Sequence, residues 1–129
     1  MNVLIIEDEP AIADVLEETL AVAGHTCFHA ADLKKAERVL EKESIEGITL
    51  DNMLPGGRGI FWLTRLATLH PELVARTVVF TGIHLSNFEL DLVERFKVPV
   101  LEKPVGLPQL AETLAGLGKT RTTKERGTD

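Results

Sequence analysis

Five residues in this chain carry chemistry that their apolar neighbours do not explain: Glu7, Asp8, Asp51, Thr81 and Lys103. All of them fall at the ends of short, mostly apolar runs. Val3-Leu-Ile-Ile6 leads into Glu7-Asp8-Glu9, and Gly47-Ile-Thr-Leu50 into Asp51. Thr77-Val-Val-Phe80 leads into Thr81-Gly82, and Val98-Pro-Val-Leu101 into Glu102-Lys103-Pro104. An acid at the end of a buried strand is costly unless something there needs it. If these ends lie side by side, two or three carboxylates meet, and each close pair repels by about 4 kcal/mol at an effective dielectric near 20. Either one of them takes up a proton or a cation sits among them. Oxygen ligands with no His or Cys in the pattern select a hard ion. Mg²⁺ fits best, because it accepts one or two carboxylates and keeps waters and phosphate oxygens. Lys103 adds a fixed positive charge and Thr81 a hydroxyl donor. Together they describe a phosphoryl-transfer site in which Asp51 attacks phosphorus, and an ionised carboxylate needs no general base.

The elements that would position these residues alternate regularly. Val3–Ile6 has the unbroken apolar character of a parallel strand covered on both faces. Pro10 suits the first turn of a helix in which Ile12, Val15, Leu16, Thr19, Leu20 and Ala23 keep helical spacing, with Gly24 as the stop. His25–Ala30 reads as a second strand. Asp32 reads as the N-cap of a helix with Leu33, Ala36, Val39 and Leu40 inward. After the Asp51 strand, Ile60, Leu63, Leu66 and Ala67 mark a third helix closed by His70-Pro71. Thr77–Thr81 is the fourth strand, and Ser86-Asn-Phe-Glu89 has the capping-box form that opens a helix to about Phe96. Val98–Leu101 is a short fifth strand, placed at an edge by Pro99. Leu107, Leu110, Leu114 and Leu117 form the stripe of a last helix. A (βα)5 alternation implies a five-stranded parallel sheet with right-handed crossovers and helices on both faces. The natural order is the doubly wound, flavodoxin-like 2-1-3-4-5, with its crevice beyond the carboxyl ends of strands 1 and 3.

Composition bounds the rest. The 129 residues suit one domain, expected over 1–118, with 119–129 a short basic flexible tail. Apolar residues make up 44% and charged residues 26%, the balance of a soluble protein, and no apolar run approaches a membrane span. The start Met-Asn-Val-Leu-Ile-Ile reads as a strand rather than a signal peptide. Cys27, the single cysteine, excludes an internal disulfide and fits a reducing, cytoplasmic setting. The net charge is −6, and without the four basic and two acidic residues of the tail the body carries −8. That balance argues against direct nucleic-acid binding by the folded part.

The four strand-end motifs, in this order, resemble those of the receiver domain of bacterial two-component response regulators. The resemblance rests on Glu7-Asp8-Glu9, Asp51-Asn-Met-Leu-Pro-Gly56, Thr81-Gly82 and Lys103-Pro104. It implies that Asp51 accepts a phosphoryl group from a histidine kinase, a histidine phosphotransfer protein or a small phosphodonor. It also implies that Asp8, Asp51 and the main-chain carbonyl of Met53 bind Mg²⁺, that Glu7 helps through water, and that Thr81 and Lys103 hold the phosphoryl oxygens. With only a short tail after Leu117, a stand-alone receiver is expected. It would signal through phosphorylation-dependent binding to a downstream protein, and would not turn over external substrates. Alternatives are a receiver-fold scaffold whose binding ignores phosphorylation, or a receiver cut from a hybrid kinase or longer regulator.

The chain departs from the family pattern in three places. Glu7 stands where the first acid is usually Asp, and Gly82 where Ala commonly follows the Thr. Val100 stands where an aromatic usually swings inward as the Thr moves. The readout is therefore expected to run through the loops and the fourth helix, with a phosphorylation-linked homodimer as one outlet. Gly56-Gly-Arg-Gly59 lacks the Lys-Ser/Thr of a P-loop and reads as a mobile turn shaping the Asp51 pocket, with Arg58 solvated. The four histidines share no metal-ligand spacing and read as structural or surface residues. Phe61 and Trp62 are adjacent on the third helix, so they cannot both face the core.

Overall fold

Apolar runs too short to be helices become the inner strands of a parallel sheet. The computed structural model describes residues 1–82, 84–102, 109 and 112–117. In chain order the elements are β1 (Asn2–Ile6), α1 (Pro10–Val22), β2 (Thr26–Ala30), α2 (Leu33–Lys42) and β3 (Gly47–Leu50). A hairpin of β4 (Met53–Leu54) and β5 (Gly57–Arg58) follows, then α3 (Gly59–Leu69) and α4 (Pro71–Val74). The last are β6 (Thr77–Thr81), α5 (Asn87–Phe96) and β7 (Val100–Glu102), and residues 112–117 are helical. The sheet is wholly parallel in the order β2-β1-β3-β6-β7. This is the expected 2-1-3-4-5 order once the two hairpin strands are set aside.

Period-two alternation divides the core. Leu4, Ile6, Ile48, Leu50 and Val79 face one side, against Ala36 and Leu40 of α2, Ile60, Leu63 and Leu66 of α3, and Leu92 and Val93 of α5. Val3, Ile5, Val78 and Phe80 face the other, against Leu16 and Leu20 of α1 and Leu114. Burying each Leu or Ile removes apolar surface worth about 1.5–3 kcal/mol, so both faces hold the sheet in register.

The local signals behave as their chemistry requires. Pro10 opens α1. The Asp32 carboxylate caps α2 by accepting the Lys35 N–H at 2.8 Å. Ser86 and Glu89 form a complete capping box at the start of α5. Trp62 turns into the core, with its indole N–H donating to Glu37 at 2.9 Å, while Phe61 stays exposed. Two expectations shift. Val15 faces solvent, because Ala13, Leu16 and Leu20 already fill the α1 stripe. The edge strand begins at Val100 rather than Val98. α5 ends in a left-handed residue, Lys97, and the Val98 N–H returns to the Val93 carbonyl at 2.9 Å, which turns Val98 into the core. Pro99 still joins the ladder as an acceptor, from the Val79 N–H. Lys103, Leu107, Leu110 and the tail 119–129 lie outside the described residues.

Where β3 turns into the hairpin and α3, the backbone returns on itself so closely that only a glycine fits. A Cβ on Gly59 would strike the Asp51 carbonyl oxygen and lie 2.9 and 3.0 Å from Leu50 side-chain carbons. Gly59→Ala should therefore lower the unfolding free energy by about 1–3 kcal/mol through overpacking, read as a shifted urea midpoint at unchanged slope.

Candidate functional site

The register of the sheet decides which side chains meet. Ile6 pairs with Ala30 on one side and Leu50 on the other. One residue beyond, the Glu7 N–H donates to the Ala30 carbonyl at 3.1 Å and the Asp51 N–H to the Ile6 carbonyl at 3.0 Å. Glu7 and Asp51 thus extend adjacent strands by one residue each, and Asp8 follows at the start of the β1–α1 turn. Carboxylate oxygens of Glu7, Asp8 and Asp51 all lie within 4.8 Å of one another. Glu7 and Asp51 are buried and Asp8 is half-buried.

Backbone donors orient the group. A Glu7 carboxylate oxygen accepts the Glu9 N–H at 3.3 Å, and an Asp51 oxygen accepts the Met53 N–H at 3.3 Å. His29 Nε2 donates to the Glu7 main-chain carbonyl at 2.7 Å, giving that histidine a structural task. Three oxygen ligands in this compass could hold a hard divalent cation together. Thr81, the last residue of β6, is fully buried on the same sheet edge.

A second polar cluster stands directly behind the first, and the sequence did not announce it. Asn52 follows Asp51 and is fully buried. Its backbone carbonyl accepts the Gly59 N–H and its side-chain oxygen the Ile60 N–H, both at 2.9 Å. These are donors that the start of a helix otherwise leaves unsatisfied. Its side-chain amide donates to Glu89 at 2.8 Å. Arg58 grips the same carboxylate with two nitrogens, Nε to Oε2 at 2.5 Å and Nη2 to Oε1 at 2.8 Å. The expectation of a solvated Arg58 is corrected here. Leu54 pairs with Gly57 across a two-residue Pro55-Gly56 turn, and Gly56 takes a positive φ of 88°. The hairpin so formed aims Arg58 at α5. The capping-box pattern gave Glu89 only a local role; a partner 31 residues away leaves no mark in sequence spacing.

Beside Thr81, a cleft of about 300 Å³ is lined by Leu85, Leu90, Val100, His84 and Glu102. Val100 is only half-buried in this cleft.

The chain matches the response regulator receiver domain over residues 3–115. It belongs to this family. Like the receiver domain protein from Methanospirillum hungatei, it places its elements in a CheY-like fold (TM-score 0.82, 23% identity, 94% of this chain and 96% of that one). Among curated relatives it is 24% identical to the sensory transduction protein LytR of Streptococcus mutans, over 98% of this chain and 56% of that protein. It is 28% identical to sporulation initiation phosphotransferase F of Bacillus subtilis, over 74% of this chain and 73% of that one. The chain spans about half the length, or less, of several curated relatives it matches. Receiver domains are signalling modules of two-component systems, and no helix among the described residues is long and apolar enough to cross a membrane.

The Glu89 carboxyl is held well below the usual carboxylate range, at about 2. The Arg58 hydrogen bond is the largest cause, burial opposes it, and bonds from Asn52 and Ser86 add to it. Because the folded-state value lies below the ordinary 4.5, the stabilisation is complete above about pH 4.5 and is lost as pH falls toward 2. Glu89→Gln should cost about 2 kcal/mol at neutral pH, less than a fully buried pair because the Arg58 side chain is 34% exposed. In urea unfolding followed from pH 7 to pH 2, the gap between wild type and variant should close below pH 4.5.

Proposed function

We propose that Asp51 accepts a phosphoryl group from a histidine kinase or a histidine phosphotransfer protein, and that the domain signals through phosphorylation-dependent binding of a downstream protein. The observation that carries this reading is the meeting of the Glu7, Asp8 and Asp51 carboxylates within 4.8 Å, at the carboxyl edge of a receiver fold. In the reaction an Asp51 oxygen attacks phosphorus, the bond from phosphorus to the donor imidazole breaks, and the imidazole leaves with the electron pair. Asp8, Asp51 and the Met53 main-chain carbonyl would hold Mg²⁺, with Glu7 assisting, and the ion would offset the negative charge of the carboxylates and of the incoming phosphoryl oxygens.

The chain's own groups do the rest. Asp51 is pre-aligned by the Met53 N–H, which donates to one of its carboxylate oxygens. Thr81, buried at the adjacent strand end, supplies a hydroxyl donor, and Lys103 supplies the cation for the transferred group. Glu7 has a longer arm than an aspartate and would help hold the ion through water. The small half-buried Val100 beside Thr81 does not provide the aromatic that reports the family's Thr movement. The readout is assigned to the β3–α3 segment and α5.

Incubating the protein with Mg²⁺ and a small acyl phosphate should add one phosphoryl group by intact mass. Asp51→Asn should abolish the addition, and chelating Mg²⁺ should suppress it. A wild-type protein left unmodified by acyl phosphates and by histidine kinases, or an Asp51→Asn variant modified as fully as wild type, contradicts the reading.

A further inference from the structure

Glu89 sits in the first turn of α5 and is fully buried, yet only one of its four carboxylate hydrogen bonds comes from its own neighbourhood, the Ser86 N–H at 2.8 Å. The other three come from the segment that follows Asp51: two from Arg58 and one from Asn52. A buried carboxylate stripped of such partners is strongly destabilised. The start of α5 is therefore secure only while the 52–58 segment keeps its present shape. The dependence also runs backward. Asn52 is adjacent to Asp51, and its backbone and side-chain oxygens are committed to the first turn of α3. It cannot move with Asp51 without breaking bonds at α3 and α5 together.

Arg58 is the sole basic residue between Asp51 and α3, and its third nitrogen lies 3.4 Å from the Met53 sulfur. Met53 is also the residue whose N–H holds Asp51. On the outer side of the same junction, the rings of Phe61 on α3 and Phe88 on α5 meet at 5.7 Å. The two helices are thus joined by a charged contact inside and an aromatic one outside, and the charged one is tied to Asp51.

We propose that the Asn52–Glu89–Arg58 network is a latch that couples the state of Asp51 to the position of α5. The proposal rests on the reading of Asp51 as phosphoacceptor. A phosphoryl group brings roughly −1.5 to −2 of charge and three strong acceptors. Its oxygens compete with Glu89 for the Arg58 guanidinium, since planar bidentate groups favour phosphate as readily as carboxylate. Glu89, losing its cation, must reach solvent, and the first turn of α5 loosens to allow it. Coupling of this kind is reciprocal: a partner that displaces α5 also changes how readily Asp51 is phosphorylated. The latch supplies the link to α5 without an aromatic at Val100.

Amide hydrogen exchange across the full chain, with and without phosphorylation by an acyl phosphate, tests this. In the wild type, phosphorylation should speed exchange at residues 86–90 by about threefold or more, while α2 stays unchanged. Arg58→Gln should exchange at that raised rate before phosphorylation and change little after it. Arg58→Lys, which keeps the charge without the bidentate grip, should fall between. Intact mass reports Asp51 occupancy separately, so a chain that takes no phosphoryl group counts against the phosphoacceptor reading. The unphosphorylated comparison of Arg58→Gln with wild type stands on its own: equal exchange at residues 86–90 overturns the latch. So does a phosphorylation response in Arg58→Gln as large as in wild type. Faster exchange in α2 and β6 as well would mark global destabilisation, and the latch would then fall unless Arg58→Lys, with those elements at wild-type rates, shows the selective effect.

Discussion

Like charges held together at one sheet edge are the constraint on which this structure turns. Each pair of carboxylates a few ångströms apart repels by about 4 kcal/mol at an effective dielectric near 20, and Glu7, Asp8 and Asp51 are brought within that range. They are given little room to separate. Glu7 and Asp51 extend the adjacent strands β1 and β3, and their N–H groups are bonded to the Ala30 carbonyl on β2 and the Ile6 carbonyl on β1. Beneath them the strands are apolar on both faces, so sliding either strand by one residue would exchange its side chains between the two core layers. The hydrophobic sheet thereby fixes the spacing of the three carboxyl groups at its carboxyl edge.

The chain treats its other buried acid differently. Glu89 receives four donors, two of them from a guanidinium, and its carboxyl is driven down to about 2. That carboxylate is satisfied within the protein and serves architecture. The acids at the sheet edge accept the Glu9 and Met53 N–H groups and bring three carboxyl groups within 4.8 Å of one another, which suits a site that recruits a cation or a reactant. The two arrangements are joined through Asn52, one residue past Asp51, so the edge cannot change shape without involving the network behind it.

Much of this was legible in the sequence because it depends on short-range pattern. Unbroken apolar runs separated by helical stripes gave the alternation, and the alternation gave the strand order. The order in turn placed Glu7, Asp8 and Asp51 at one edge. Asp32 and Ser86 were readable as caps because a cap and its target lie three residues apart. What was not legible depends on geometry between distant segments. Arg58 looked solvated because nothing near it in sequence is acidic; its partner lies 31 residues on. The choice between Phe61 and Trp62 was decided by Glu37, which gives the indole N–H an acceptor. The start of β7 moved because the left-handed turn at Lys97 draws Val98 inward, a preference that apolar periodicity does not carry. Lys103 falls outside the described residues, so its part in the site stays a reading of sequence.

The most direct measurement of the central claim is a Mg²⁺ titration of the protein followed by amide chemical shifts. One saturable site is predicted, with shifts concentrated at residues 7–9 and 51–53, and binding at least about tenfold weaker in Asp51→Asn. Absence of saturable binding, or binding of unchanged strength in that variant, would contradict the account.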